Sequence, residues 1–224
     1  MEFFLDTADL AEIDSLLPYG IVDGITTNPS LVAKHKNQSF SKIIKNLCSI
    51  FEGPISVEAP GRDYDDMIEQ GKRILDLASN IVLKLPITWD GIRACNYFAA
   101  DGHKVNMTLC FSVNQALMAA KAGAYYVSPF IGRLDDIGYD GMSLLYDIRG
   151  VFDNYENITT KILGASIRNV YHVYEAAKIG VDVVTMPASV MKKLIDNPLT
   201  EAGLAQFESQ WNNSGLRIDD KFCR

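Results

Sequence analysis

Ile81-Val82-Leu83-Lys84-Leu85-Pro86 puts one lysine inside a run of apolar residues. The run has the length of a strand, and it is too apolar for a sheet with one face in water. Both faces must be covered, as in a parallel sheet flanked by helices. An ammonium group in that setting is costly unless it is paired or sheds its proton. Desolvation favours the neutral amine, and a neutral amine is a nucleophile toward a carbonyl carbon. The plain alternative is a strand-end lysine whose charge reaches water along its stem. The rest of the chain decides between them.

Short apolar runs of the same kind recur on both sides: Phe3–Leu5, Gly24–Thr26, Ile55–Glu58, Val105–Thr108, Tyr125–Ser128, Lys161–Ala165 and Asp182–Thr185. Amphipathic stretches separate them. Ser39 has the chemistry of a helix cap, and Phe40, Ile43, Ile44, Leu47 and Phe51 then share one face. Arg62–Ala78 groups Met67, Ile68, Ile74 and Leu75. Ser112 opens a further helix that Gly123 closes. The count is eight strand–helix units with short connections. Eight consecutive units most economically close into a (β/α)8 barrel, the TIM-barrel form of the α/β class. An open doubly wound sheet is the alternative, weakened by the lack of a GxGxxG after the first strand. A last helix is expected over Thr200–Trp211. The expectation is one domain over residues 1–215, the C-terminal helix included, then a patternless tail over 216–224 that is expected to be loose.

The bulk properties narrow the partners. The chain has 224 residues and a formal charge of −7. That balance argues against nucleic acid or an anionic membrane as a partner, while leaving room for a small anion held by a few local cations. The amino terminus lacks a basic region followed by an apolar signal segment, and no apolar run has membrane-spanning length. Cys48, Cys95, Cys110 and Cys223 lack metal-ligand spacing and read as reduced thiols of a cytoplasmic protein. His35, His103 and His172 are scattered, so no metal site is expected.

The polar residues fall at the strand ends, where a barrel of this kind carries its active site. Asp6, Thr26-Thr27-Asn28, Glu58, Thr108 and Ser128 end strands, and Ser166 with Arg168 follows the seventh. Residues two apart on a strand share a face, so Ser56 goes with Glu58 and Asn106 with Thr108, around Lys84. A structural salt bridge would explain one acid beside Lys84, but less easily both Asp6 and Glu58. Ser166-Ile167-Arg168-Asn169 opens a helix after strand seven, where backbone N–H groups, a hydroxyl and an arginine make a phosphate site. Arg133 could supply a second cation, or instead pair with Asp135 or Asp136.

Together these stretches resemble the short transaldolases grouped with fructose-6-phosphate aldolase. The markers are Phe4-Leu5-Asp6-Thr7-Ala8, Asp23–Ser30, Val82-Leu83-Lys84-Leu85-Pro86, Asn106-Met107-Thr108-Leu109, Gln115-Ala116-Leu117, Ser128–Asp136 and Gly164–Asn169. The resemblance implies a cofactor-free enzyme that forms a Schiff base on Lys84. It implies that Asp6 takes the proton of the hydroxyl whose loss breaks the carbon–carbon bond. Glu58 with Thr108 would hold the water that shuttles protons. Thr26, Asn28, Ser56, Asn106 and Ser128 would contact the donor, with Phe130 beside Lys84. Ser166, Arg168 and Arg133 would hold the phosphate. The implied reaction moves a dihydroxyacetone unit between sugar phosphates in the non-oxidative pentose phosphate pathway. The implied assembly is a homo-oligomer, pentamer or decamer, with the last helix reaching a neighbour.

Two residues bear on transfer against release. Glu58 stands where the aldolases of the group have glutamine, and Phe130 where they have tyrosine. One departure from the family pattern is the loop Ala59-Pro60-Gly61-Arg62 after the third strand. A fructose-6-phosphate aldolase releasing free dihydroxyacetone is the nearest alternative. A phosphosugar-binding barrel without turnover is more distant, since it has no use for a buried amine.

Overall fold

The computed structural model describes residues 1–218. In chain order the elements are β1 Glu2–Asp6, α1 Leu10–Asp14, a 3-10 turn Leu17–Tyr19, β2 Gly24–Thr26, α2 Pro29–Val32, α3 Phe40–Ile50 and β3 Ile55–Glu58. They continue as α4 Tyr64–Leu75, β4 Ile81–Pro86, α5 Trp89–Ala100, β5 Val105–Cys110, α6 Val113–Lys121, β6 Tyr126–Pro129, α7 Ile131–Asp135 and α8 Gly141–Phe152. The last are β7 Lys161–Gly164, α9 Val170–Ile179, β8 Val183–Met186, α10 Ala188–Lys193 and α11 Pro198–Ser214. All eight strands run parallel in sequence order, and β8 pairs with β1 to close the barrel.

The alternation along each strand builds two layers of side chains. On β4, Val82 joins Phe4, Tyr126, Leu163 and Val183 in a buried apolar cluster. Phe4 needs Gly24 opposite it, because a Cβ there would lie 2.4 Å from the Phe4 ring. Two residues further along β1, β4, β6 and β8 the same face becomes polar, at Asp6, Lys84, Ser128 and Thr185. The intervening residues face the helices: Leu83 Cδ2 would be 2.9 Å from a Cβ at Gly71 of α4. Leu83 is fully buried, so Leu83→Ala would cost about 3 kcal/mol.

The caps follow the sequence. Ser39 accepts from Lys42 N and Ser112 from Gln115 N. Asp63 caps α4, which runs over Tyr64–Leu75 within the expected stretch Arg62–Ala78. Gly123 has φ +87 just after α6, a conformation costly for residues with a Cβ. β8 begins one residue later than expected. The Asp182 carboxylate accepts from Ile162 N at 2.7 Å and its carbonyl accepts from Glu2 N, so Asp182 caps the strand end.

Two compact units are present, Met1–Met191 and the segment from Lys192 onward. In the second, Asn197 caps α11, Pro198 occupies its first turn and Gly215 follows it with φ +69. α11 is longer than the expected Thr200–Trp211, and none of its residues is buried. Among the described residues no helix is long and apolar enough to cross a membrane. Cys48, Cys95 and Cys110 are free thiols. Cys223 and the tail from residue 219 lie outside the described residues.

Candidate active site

Lys84 sits on β4 in register with Glu58 on β3 and Asn106 on β5. It is only 4% exposed. Its Nζ lies 3.1 Å from Glu58 Oε2 and donates to the Thr27 carbonyl at 2.9 Å. The strand register alone brings the amine and the carboxylate side by side. Removing either partner would leave a buried charge uncompensated, at about 3–5 kcal/mol.

Asp6 ends β1 on the other side of the mouth. Thr26 Oγ1 donates to Asp6 Oδ1 at 2.8 Å and also bonds Thr185 Oγ1. The Thr26 hydroxyl has one proton, so Thr185 must donate to Thr26 and Thr26 to Asp6. Asp6 keeps some exposure at the mouth yet is enclosed on most sides, and this burial raises its pKa above the ordinary 3.8. The Lys84 charge, the Thr26 hydrogen bond and the more distant Lys34 oppose the rise.

A second chain of hydrogen bonds crosses the barrel. Ser128 Oγ donates to Asn106 Oδ1 at 2.6 Å, and Asn106 Nδ2 donates to Ser56 Oγ at 3.1 Å. All three are buried, so the amide is held in one orientation. Thr108 Oγ1 is buried without a partner among the described residues. An orphaned buried hydroxyl is a place for water or a ligand atom.

The cavity itself measures about 230 Å³. Asp6, Thr26, Asn28, Lys84, Ser128 and Phe130 line it together with Arg133, Ser166 and Arg168. Glu58, Ser56, Asn106 and Thr108 are not among its lining residues. Glu58 is reached through Lys84, and Ser56 and Asn106 through Ser128. Asn28 also caps α2 by accepting from Leu31 N. Phe130 packs edge-on against Phe111, and the Arg133 guanidinium lies 4.9 Å from the Phe130 ring centre.

On the cationic side the structure corrects one expectation and decides between two readings of Arg133. The helix after β7 begins beyond its cap Asn169, so Ser166 lies three residues before that cap, with φ +60. Ser166 is therefore a strained turn residue and not part of the helix's first turn. The ion pair with Asp136 belongs to Arg168, at 2.7 Å. Among the described residues Arg133 has no ion pair. The two segments are locked together at Gly132, whose N–H donates to the Ser166 carbonyl at 3.2 Å. A Cβ at Gly132 would lie 2.2 Å from that oxygen and 2.5 Å from Arg168 Nε.

The loop after β3 keeps Glu58 in place. Ala59 N donates to the Lys84 carbonyl at 3.0 Å. Gly61 lets the loop approach α4, since a Cβ there would be 2.9 Å from Asp66 Cβ and 3.0 Å from Met67 N.

Thr185, Ala165, Ile167 and Pro187 also line the cavity, and the sequence reading did not select them. Thr185 carried a signal, being the polar end of the eighth strand candidate. The Thr27 carbonyl carried none, because every residue has one.

A closed parallel barrel with a buried lysine, two carboxylates and two arginines at its carboxyl-end mouth is an enzyme-type barrel with an anion-compatible pocket. The comparisons with known proteins narrow it. The family model described as Transaldolase/Fructose-6-phosphate aldolase matches residues 3–220. Proteins named probable transaldolase from Parvibaculum lavamentivorans and Paracoccus denitrificans are each 50% identical over 218 residues, 97% of this chain and 100% of theirs. One of the same name from Brucella anthropi is 51% identical over the same spans. The chain belongs to the transaldolase/fructose-6-phosphate aldolase family, and it is an enzyme of that family.

Proposed function

We propose that the enzyme transfers a dihydroxyacetone unit from a ketose phosphate to an aldose phosphate through a Schiff base on Lys84. The donors are sedoheptulose 7-phosphate and fructose 6-phosphate; the acceptors are glyceraldehyde 3-phosphate and erythrose 4-phosphate. The setting is the non-oxidative pentose phosphate pathway, in the cytoplasm. The observation that carries the reading is the buried Lys84 amine, 3.1 Å from Glu58 and lining one cavity with Asp6.

The steps follow from the groups present. The Lys84 amine, its proton passed to Glu58, attacks the donor C2 carbonyl. Water leaves and a protonated imine forms. Asp6 takes the C4 hydroxyl proton, the C3–C4 bond breaks, and its electron pair moves into the imine to give an enamine. The aldose phosphate departs. An acceptor aldehyde then takes the enamine carbon, Asp6 returns its proton to the new alkoxide, and water hydrolyses the imine. The buried, unpartnered Thr108 hydroxyl supports a water held between it and Glu58. Arg133, Arg168 and Ser166 give the phosphate two cations and a hydroxyl in the same cavity. The identity to proteins called probable transaldolase supports transfer over release, as does the apolar Phe130 ring in the cavity.

A coupled assay tests the reading. Consumption of sedoheptulose 7-phosphate should require an added aldose phosphate. Consumption at the same rate without an acceptor, with free dihydroxyacetone formed, would make the enzyme an aldolase.

A further inference from the structure

We infer that His172, oriented by Asp135, is a positioning residue that sets the Ser166–Arg168 turn so that Arg168 and Arg133 face one phosphate. This rests on the reading above that the two arginines hold the substrate phosphate.

His172 is the third residue of α9 and is buried. Its backbone N–H donates to the Asn169 cap at 3.0 Å. Its ring reaches back, and Nδ1 accepts from the Arg168 backbone N–H at 3.3 Å. An amide N–H can only donate, so Nδ1 carries no proton and the ring proton sits on Nε2. Nε2 lies 3.2 Å from Asp135 Oδ2, and Asp135 Oδ1 accepts from Gly141 N at 3.0 Å. The imidazole is therefore held at both nitrogens, in one tautomer.

A helix cap alone does not need this arrangement. Glutamate or glutamine at the third position commonly reaches back to the cap within its own helix. Here the ring bridges α9 to α7, the helix that carries Arg133. Adjacent carboxylates of that segment hold the two ends of residue 168: Asp135 its backbone, through His172, and Asp136 its guanidinium. The turn so held contains Ser166 at φ +60, a conformation strained for a residue with a Cβ, which persists only where surrounding contacts enforce it. The charged group in contact with the ring is Asp135, while Asp136 pairs with the Arg168 guanidinium. Losing the His172 contact frees the turn, and with it the spacing of the two guanidinium groups on which a shared anion depends.

The test compares His172→Gln, His172→Asn and Asp135→Asn with Arg168→Ala, after melting curves establish that each is folded. The asparagine can put an oxygen where Nδ1 was; the glutamine keeps reach toward Asp135 but loses that acceptor. Kinetics are measured with fructose 6-phosphate as donor and with unphosphorylated dihydroxyacetone, together with competitive inhibition by inorganic phosphate. His172→Gln should raise KM for fructose 6-phosphate and the inhibition constant of phosphate by about tenfold, with kcat and dihydroxyacetone use nearly unchanged. His172→Asn should recover most of the loss. Asp135→Asn should shift the same quantities in the same direction, and it carries the test if the histidine variants do not fold. Equal loss on both donors, no loss, or an asparagine variant no better than glutamine would overturn the assignment. If Arg168→Ala itself shows no phosphate-selective loss, the phosphate reading fails and this inference with it. Selective loss there, without it at His172 or Asp135, overturns the inference alone.

Discussion

The guanidinium of Arg168 donates to Asp136 at 2.7 Å, a contact that the phosphate of the proposed substrate would share or displace. The pair is about half exposed and contributes about 0–1 kcal/mol, so an incoming dianion can compete with it. Arg168→Ala and Arg133→Ala should each lower kcat/KM for phosphorylated substrates by about 2 kcal/mol. Arg168 already has an acid to satisfy it, so its loss should be the smaller. Dihydroxyacetone use should fall much less. Kinetics in which both substrate types drop by one factor would assign these arginines to the fold or the chemistry.

Asp6 gives a pH-dependent prediction. Burial raises its pKa above 3.8, so the folded state disfavours the ionised form. The resulting stability cost is fully present above the folded pKa and disappears as pH falls below 3.8, where folded and unfolded states are both protonated. Asp6→Asn removes that cost. It should raise stability to urea at neutral pH, with the gain shrinking on acidification, while carbon–carbon cleavage is lost. The acid limb of the parent's kcat/KM profile should lie above the ordinary carboxylate range. A variant that is less stable at neutral pH, or whose advantage does not vary with pH, would refute this account of Asp6.

Phe130→Tyr should shift the enzyme from transfer toward release. The ring lines the cavity with Lys84 and packs against Phe111. A hydroxyl there could direct water or a proton to the enamine, which phenylalanine cannot do. The ratio of free dihydroxyacetone formed to unit transferred, read with and without acceptor, should rise. An unchanged ratio would leave Phe130 a packing residue.

Much of the fold and of the cavity was legible in the sequence. Runs such as Ile81–Pro86 could be buried only in a sheet covered on both faces, and eight of them in alternation with helices close most simply as a barrel. Glu58, Lys84 and Asn106 follow from that, since one register sets them side by side. What escaped depends on contacts between segments distant in sequence. Asp136 pairs with Arg168 across 32 positions, and nothing local distinguishes it from a partner for Arg133. The stretch Ser166–Asn169 read as the opening of a helix, yet Asn169 is the cap and Ser166 stays in the turn before it. His172 read as an ordinary helix-face histidine because the groups that define it, Arg168 N–H and Asp135, are brought together by the fold.

α11 predicts an assembly. Leu204, Phe207 and Trp211 recur on α11 at helical spacing, an apolar stripe that a second copy of this chain is expected to cover. Light scattering should give a pentamer or a multiple of it. A monomer mass at micromolar concentration with activity intact would remove the claim.

The most direct test of the central claim is borohydride reduction in the presence of fructose 6-phosphate, read by intact mass and peptide mapping. The parent enzyme should gain a reduced three- or six-carbon adduct on the peptide containing Lys84. Lys84→Arg keeps a positive charge but cannot become a neutral nucleophile, so it should fold, lose turnover by several orders of magnitude and take no label. Label on a different lysine of the parent, or borohydride-dependent labelling that persists in Lys84→Arg, would contradict the account.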